Sequence, residues 1–215
     1  HQGLSAKSGI IGTASPAANS DIVVPAYSSG EIYALRTANG STAWSDNLAP
    51  LQQTGGLQSL SDISAHPVID DELVLGVSFG GRMVAVNTRS GDRVWQREIG
   101  GAQMPWVLGN HIFVVTNNNE LAAIGRDKGV IRWVKQLPRF VDEDTREDRI
   151  TWAGPVFAGG RLILAGSNGE VRAYAHEDGR KIRTWDGNGN FQAQPVIAGG
   201  VLYLLSQGGT LKAYK

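Results

Sequence analysis

Few residues of this chain have the type and spacing to do chemistry. The stretch GVSFG at 76–80 has the G-x-S-x-G form of a nucleophile elbow, in which Ser78 would attack an acyl carbon. That chemistry needs a strand, a strained turn and then a helix. Nothing after Ser78 reads as a helix, so a polar residue at a strand end is expected there. Four histidines, His1, His66, His111 and His176, could act as bases or ligands. None stands at a zinc-ligand spacing, so surface or turn roles are expected. GNGNFQ at 187–192 falls short of a dinucleotide loop because no helix follows it. NGS at 39–41 is a formal glycosylation sequon. RFVDEDTREDR at 139–149 carries five acids and three arginines. A calcium loop would need a central glycine, yet Arg146 follows the alternating Asp142 and Asp144. A solvated charged loop is expected, with a partner contact as its other use. No catalytic, cofactor or metal set is assembled, and the expected cofactor list is empty.

The totals point the same way. Lys plus Arg and Asp plus Glu are 20 each, which leaves no footprint for nucleic acid or an anionic membrane. Cysteine is absent, which removes thiolate ligands, thiol nucleophiles and disulfides. No apolar run reaches the roughly 18 residues of a membrane span. The opening HQGLSAKSG has neither an initiator methionine nor a signal peptide, so a processed product or an excised piece is expected. Gly is abundant at 28, and Val, Ile and Leu come in short bursts, the pattern of many strands joined by tight turns.

Those strands repeat. With Pro16, Pro67, Pro105, Pro155 and Pro195 as origins, an alanine follows 18 residues later each time, at Ala34, Ala85, Ala123, Ala173 and Ala213. Fourteen residues after each origin stand Gly30, Gly81, Asn119, Gly169 and Gly209. Asn is the side chain most at ease at positive φ, so a turn of fixed geometry is expected at all five. Gly40, Gly91, Gly129 and Gly179 lie 24 residues after the first four origins. Trp44, Trp95 and Trp133 come four residues after their glycines, whereas Arg183 holds that place in the fourth unit and Trp185 comes two later. A bulge or a loosened contact is expected there.

Each unit reads as four short strands with glycine-rich turns. An apolar second strand (LVLGVS, 73–78) beside an alternating third (RMVAVN, 82–87) describes a sheet covered on both faces by its neighbours, as propeller blades are. The alanine keeps adjacent sheets close, the glycine turns into the outer strand, and the tryptophan lies across the gap to the next blade. Burying an indole removes about 150–250 Å² from water, an upper bound of roughly 4–6 kcal/mol. The expected fold is all-β: four complete four-stranded blades plus a three-stranded one. The blades span 15–46, 66–99, 105–136, 155–186 and 195–215 of a single propeller domain or fragment (1–215). An N-terminal segment (1–14) precedes them. Trp44, Trp95, Trp133 and Trp185, with Gly40, Gly91, Gly129 and Gly179, are the expected blade-docking residues.

The Ala-x₅-Gly-x₃-Trp signature on four-stranded units resembles the PQQ-type β-propeller repeat, the tryptophan-docking propellers. That family places Asp two after the alanine and Thr before the glycine. Here those places hold Arg36 and Asn39, Asn87 and Ser90, Gly125 and Lys128, and Ala175 and Asp178, so the skeleton is shared and the polar positions are not. Within the family, LSDISAHPVIDDELVLGVSFGGRMVAVNTRSGDRVWQREIGG at 60–101 is similar to the central blades of the BamB lipoproteins of outer-membrane β-barrel assembly, and the ending GGTLKAYK to their C-terminus. The resemblance implies the C-terminal portion of an eight-bladed propeller, periplasmic and attached to the outer membrane of a Gram-negative bacterium. The lipid anchor would lie on an N-terminal cysteine this chain does not contain. It implies a non-catalytic scaffold whose protein partner is the periplasmic region of the central barrel-assembly subunit. The family's partner surface uses a Leu-Arg loop and a Ser-Asp-x-Asp loop. Here Ser61 and Asp62 are kept while Ser64 stands where the second acid would be, and Leu4 stands for the leucine with Ser5 where the arginine would be.

Loop length adds an independent pointer. The connections 45–66 and 134–154 are far longer than the usual 4–6 residues and would project from one rim, where function tends to sit. Leu57 and Leu60 beside Asp62 form an apolar anchor with a polar neighbour, the pattern of a protein contact. The other reading of these leucines is as caps on blade ends. The alternative function is a fragment of a PQQ-binding quinoprotein or another small-molecule-binding propeller. Those enzymes add a calcium-bound cofactor and commonly adjacent paired cysteines.

Overall fold

The computed structural model describes residues 14–49 and 63–215. Every regular element among them is a strand, and no helix is long and apolar enough to cross a membrane. The chain divides into two compact units, residues 1–105 with 127–129, and residues 106–126 with 130–215.

The first unit holds two four-stranded antiparallel sheets. Sheet one runs β1 (Ala17–Ala18), β2 (Ile22–Val24), β3 (Glu31–Arg36) and β4 (Thr42–Asn47). Sheet two runs β5 (Val68–Asp70), β6 (Leu73–Val77), β7 (Met83–Asn87) and β8 (Arg93–Arg97). Strand order follows chain order, so each sheet is a simple meander. β6 is buried at all five positions, as its unbroken apolar run requires. Ile22, Val24, Ile32, Ala34 and Trp44 of sheet one pack on Val74, Val84 and Val86 of sheet two.

The second unit repeats the pattern. Sheet three is β9 (Trp106–Leu108), β10 (His111–Val115), β11 (Glu120–Gly125) and β12 (Ile131–Gln136). A small hairpin follows, β13 (Phe140–Asp142) and β14 (Glu147–Arg149). Sheet four is β15 (Trp152–Ala158), β16 (Arg161–Gly166), β17 (Glu170–Ala175) and β18 (Lys181–Asp186). Sheet five has three strands, β19 (Val196–Ala198), β20 (Val201–Leu205) and β21 (Leu211–Tyr214). Phe113, Leu121 and Ala123 pack on Trp152, Leu162 and Leu164. Ile163, Ala165 and Val171 pack on Leu202 and Leu204.

The repeated alanine, glycine and tryptophan meet at one seam. Ala34, Ala85, Ala123 and Ala173 are fully buried. The first three stand opposite Trp44, Trp95 and Trp133 in the ladder, while Ala173 stands opposite Arg183. A Cβ built on Gly91 would lie 2.5 Å from Trp44 Cβ, on Gly129 2.6 Å from Trp95 Cδ2, and on Gly179 2.6 Å from Trp133 Cε3. Each indole therefore lies on the turn glycine of the next sheet, where φ is +77°, +63° and +69°. The position demands glycine twice over, for its backbone and for the ring above it. Trp44 Nε1 donates to Thr88 O at 2.8 Å, and Trp133 Nε1 to His176 O at 3.2 Å. Residues 127–129 group with the first unit through this seam, because Arg97 Nε and Nη2 also donate to Gly129 O and Lys128 O. Arg93 adds a bidentate pair with Asp46, at 2.7 and 2.6 Å.

Two expectations need correction. The bulge expected in the fourth unit alone occurs in sheets one to four, one residue after the buried alanine, so it belongs to the repeat. Trp185 is not in the docking register: it pairs with Val171 and its ring meets Tyr214 edge-on at 6.4 Å. The two-residue shift moves the indole one pleat along the same face, and Arg183 takes the docking place with its guanidinium 5.6 Å from the Trp185 ring. Gly40 shares the backbone (φ +70°) but has no described atom within 4 Å of a built Cβ.

Candidate functional site

The second unit shows one of the two long connections in full. The charged run 139–149, expected as a solvated charged loop, is exposed from 141 to 149 and forms a hairpin. Phe140 pairs with Arg149 and Asp142 with Glu147, and Ile150 N donates to Arg139 O at 2.8 Å. The reversal has a local cause: Asp142 Oδ1 accepts from Asp144 N at 2.9 Å and Thr145 N at 3.1 Å, an Asx turn. The amides of Thr145 and Asp144 hold the Asp142 carboxyl below the usual carboxylate range.

The base of the hairpin is fixed by a residue whose role spacing did not reveal. Asn119 supplies the positive φ of the β10–β11 turn (+56°), like Gly30, Gly81, Gly169 and Gly209 in their sheets. Unlike glycine it also has a carboxamide. Its Nδ2 donates to Pro138 O at 3.0 Å and Ile150 O at 2.7 Å, clamping both ends of the hairpin from a buried position. Its carbonyl accepts from Leu137 N and Gln136 Nε2, each at 2.8 Å. The signal was present: Asn in a series otherwise made of glycine, directly opposite a long connection.

Above this base lies a cleft of about 400 Å³ lined by Asn118, Arg139, Phe140, Glu143, Arg146 and Arg149. Glu143 Oε1 is occupied by the backbone amides of Arg139 (2.8 Å) and Phe140 (3.4 Å). Among the described residues, the guanidinium of Arg139 reaches Asn118 O and Gln136 Oε1 and that of Arg149 reaches Asn117 O, all at 3.3 Å. Arg146 sits at φ +57°. Next to the cleft, Arg172 is tied to Glu170 at 2.6 Å and lies 5.1 Å from the centre of the Trp152 ring. Buried Tyr174 is nearby; burial pushes its phenol above the ordinary value, against the pull of Arg172.

The sequence's chemical candidates fall outside this cleft. Ser78 is fully buried at the β6–β7 turn, its Oγ accepting from Arg82 N at 3.1 Å. Ser206 and Thr116 accept from the amide four residues on in the same way, at 3.1 and 3.2 Å. Ser78 is thus a turn-capping hydroxyl of the repeat. His66 is exposed, His111 stacks on Phe113, and His176 meets Phe157 edge-on at 5.2 Å. GNGNFQ is a loop that carries the buried plug Phe191, against which Gly187 and Gly189 pack. His1 and the residues expected to bind a partner, Leu4, Leu57, Leu60, Ser61 and Asp62, lie outside the described residues. Of the 45–66 connection the structure shows the ends, with Leu48, Ile63 and Ala65 buried.

Comparison with known proteins supplies the context for these surfaces. The PQQ-like family model described as outer membrane protein assembly factor BamB matches residues 1–135. The protein of that name from Shigella dysenteriae is 28% identical over 186 residues, 86% of this chain and 45% of that protein. Its counterpart from Escherichia coli K12 is 28% identical over 168 residues, 77% of this chain and 40% of that protein. The chain therefore spans less than half the length of these curated relatives. The crystal structure of BamB from Moraxella catarrhalis superposes with a TM-score of 0.86 over 100% of this chain and 62% of that one, at 18% identity. The four- and three-stranded sheets are blades of a β-propeller.

Proposed function

This chain belongs to the PQQ-like family of outer membrane protein assembly factor BamB, and on that footing we propose that it is a non-catalytic adaptor in outer membrane protein assembly. It works in the periplasm at the outer membrane. The observation that carries the reading is the family match across residues 1–135, a span that includes the whole 45–66 connection. Its partner is the periplasmic region of the central barrel-assembly subunit, met by Leu57 and Leu60 as apolar anchors and by Ser61 and Asp62 as the polar neighbours that set register, with Leu4 contributing. Buried apolar anchors ringed by polar groups concentrate binding energy in few residues. The quinoprotein alternative is not favoured by the relatives this chain matches.

The test is a calorimetric titration of the full chain against the periplasmic domains of that subunit. Alanine at Leu57 and at Leu60, and Arg at Asp62, should each weaken binding at least tenfold while leaving the melting temperature unchanged. Loss of fold in all three would overturn the assignment and make these residues blade-end caps.

A further inference from the structure

We propose that the cleft on the 137–150 hairpin is a second binding site, one that takes a short acidic segment of a partner protein as an extended chain. Arg139, Arg146 and Arg149 line it, and among the described residues none of the three pairs with a carboxylate. Among the described residues, their guanidinium hydrogen bonds are the three long contacts to Asn118 O, Gln136 Oε1 and Asn117 O, so most of the guanidinium N–H groups face the cleft or water. The wall's own acid, Glu143, is engaged by two backbone amides. Guanidinium forks with free donors match carboxylates in bidentate geometry.

Two features argue for a built site. The hairpin is held at its base by Asn119 and Ile150 and at its tip by the Asp142 turn, so the arginines are positioned before a ligand arrives. Arg146 also occupies a left-handed backbone position, φ +57°, that glycine would hold without strain. The chain keeps a guanidinium where its own turn would favour having none.

The surroundings select the shape of the ligand. Asp142, Asp144, Glu147 and Asp148 are exposed around the rim of the same hairpin. A flat anionic membrane would press against all four, whereas a narrow peptide can pass between them to the arginines. Phe140 on the cleft wall offers apolar contact to a side chain of an extended segment.

The site extends the adaptor reading to another surface, and its test does not involve the barrel subunit, so either can fail alone. A fluorescein-labelled eight-residue peptide of alternating glutamate and leucine, and its glutamine counterpart, would be titrated into the full chain at low salt by anisotropy. Saturable binding of the acidic peptide is expected, at least tenfold weaker for the glutamine version and falling with added salt. Arg149→Gln should weaken it at least fivefold. Arg146→Gly should do the same without lowering the melting temperature, because it relieves the turn. Absence of saturable binding, equal binding of both peptides, or indifference to both substitutions would overturn the proposal. So would Arg146-dependent binding to phosphatidylglycerol vesicles that displaces the peptide at equal salt, since the ligand would then be a membrane surface.

Discussion

Replacing Gly91 and Gly40 by alanine, one at a time, separates what the repeat glycine does for its own backbone from what it does for the neighbouring tryptophan. The two turns are matched. Gly40 has φ +70° and donates to Arg36 O at 2.8 Å; Gly91 has φ +77° and donates to Asn87 O at 3.0 Å. Alanine in this conformation costs about 1–2 kcal/mol, offset by about 0.4–1 kcal/mol from a stiffer unfolded chain, and both effects are common to the two sites. Only the space differs. A Cβ at Gly40 meets no described atom within 4 Å, but at Gly91 it would stand 2.5 Å from Trp44 Cβ and 2.7 Å from Cγ. Those atoms sit close to the β4 backbone and cannot swing aside, so the indole must undock or the sheets must part, an overpacking cost of about 1–3 kcal/mol. A chain of this size loses roughly 2–4 °C of melting temperature per kcal/mol. With an excess of about 2 kcal/mol, Gly91→Ala should therefore melt roughly 4–8 °C below Gly40→Ala. Far-UV circular dichroism is the suitable readout, since indole fluorescence would report the docking itself. Equal losses at the two glycines would refute the docking argument.

Four further outcomes follow from the same geometry. Trp95→Ala, which empties the seam over Gly129, should cost about 3–5 kcal/mol, and a melting shift under a couple of degrees would contradict it. Asn119→Gly keeps the turn but deletes the bonds to Pro138 O and Ile150 O, at a cost of about 1–3 kcal/mol; the Ile150 amide should exchange faster with deuterium, and unchanged exchange would show that the hairpin holds itself. Tyr174 has its folded pKa above the ordinary 10.0, so its contribution is intact below that pH and is lost as pH rises toward the folded value. Tyr174→Phe should therefore lose less stability than the native chain as pH rises above about 10, and parallel urea-midpoint curves would contradict this. Ser78→Ala should cost about 1 kcal/mol through the lost turn cap and leave partner affinity unchanged in a binding titration.

The parts of the fold that recur were legible because repetition exposes geometry without an alignment. Five origins with alanine at one offset left few ways to stack the strands, and the single Asn in a glycine series marks a left-handed turn. The bulge after the first four of these alanines was not legible, since it leaves residue types untouched and changes only pairing. It surfaced as an apparent exception in the fourth unit because Arg183 replaced the landmark tryptophan there. The hairpin at 140–149 was hidden by its charge: seven ionisable residues suppress the alternation that marks a strand. What holds it is a carboxamide some 20–30 residues earlier in the chain, a relation that no local pattern carries. The unpaired arginines follow the same logic, because pairing is a property of three-dimensional neighbours.

The most direct test of the adaptor account compares two charge reversals on one scaffold. Asp62→Arg alters the loop assigned to the partner, and Asp127→Arg alters the β11–β12 turn. Both variants would be titrated against the periplasmic domains of the central barrel-assembly subunit, beside the native chain. The account predicts saturable binding by the native chain, at least tenfold weaker for Asp62→Arg and unchanged for Asp127→Arg, with equal melting temperatures. Native-like affinity in Asp62→Arg, or equal loss in both, would contradict it.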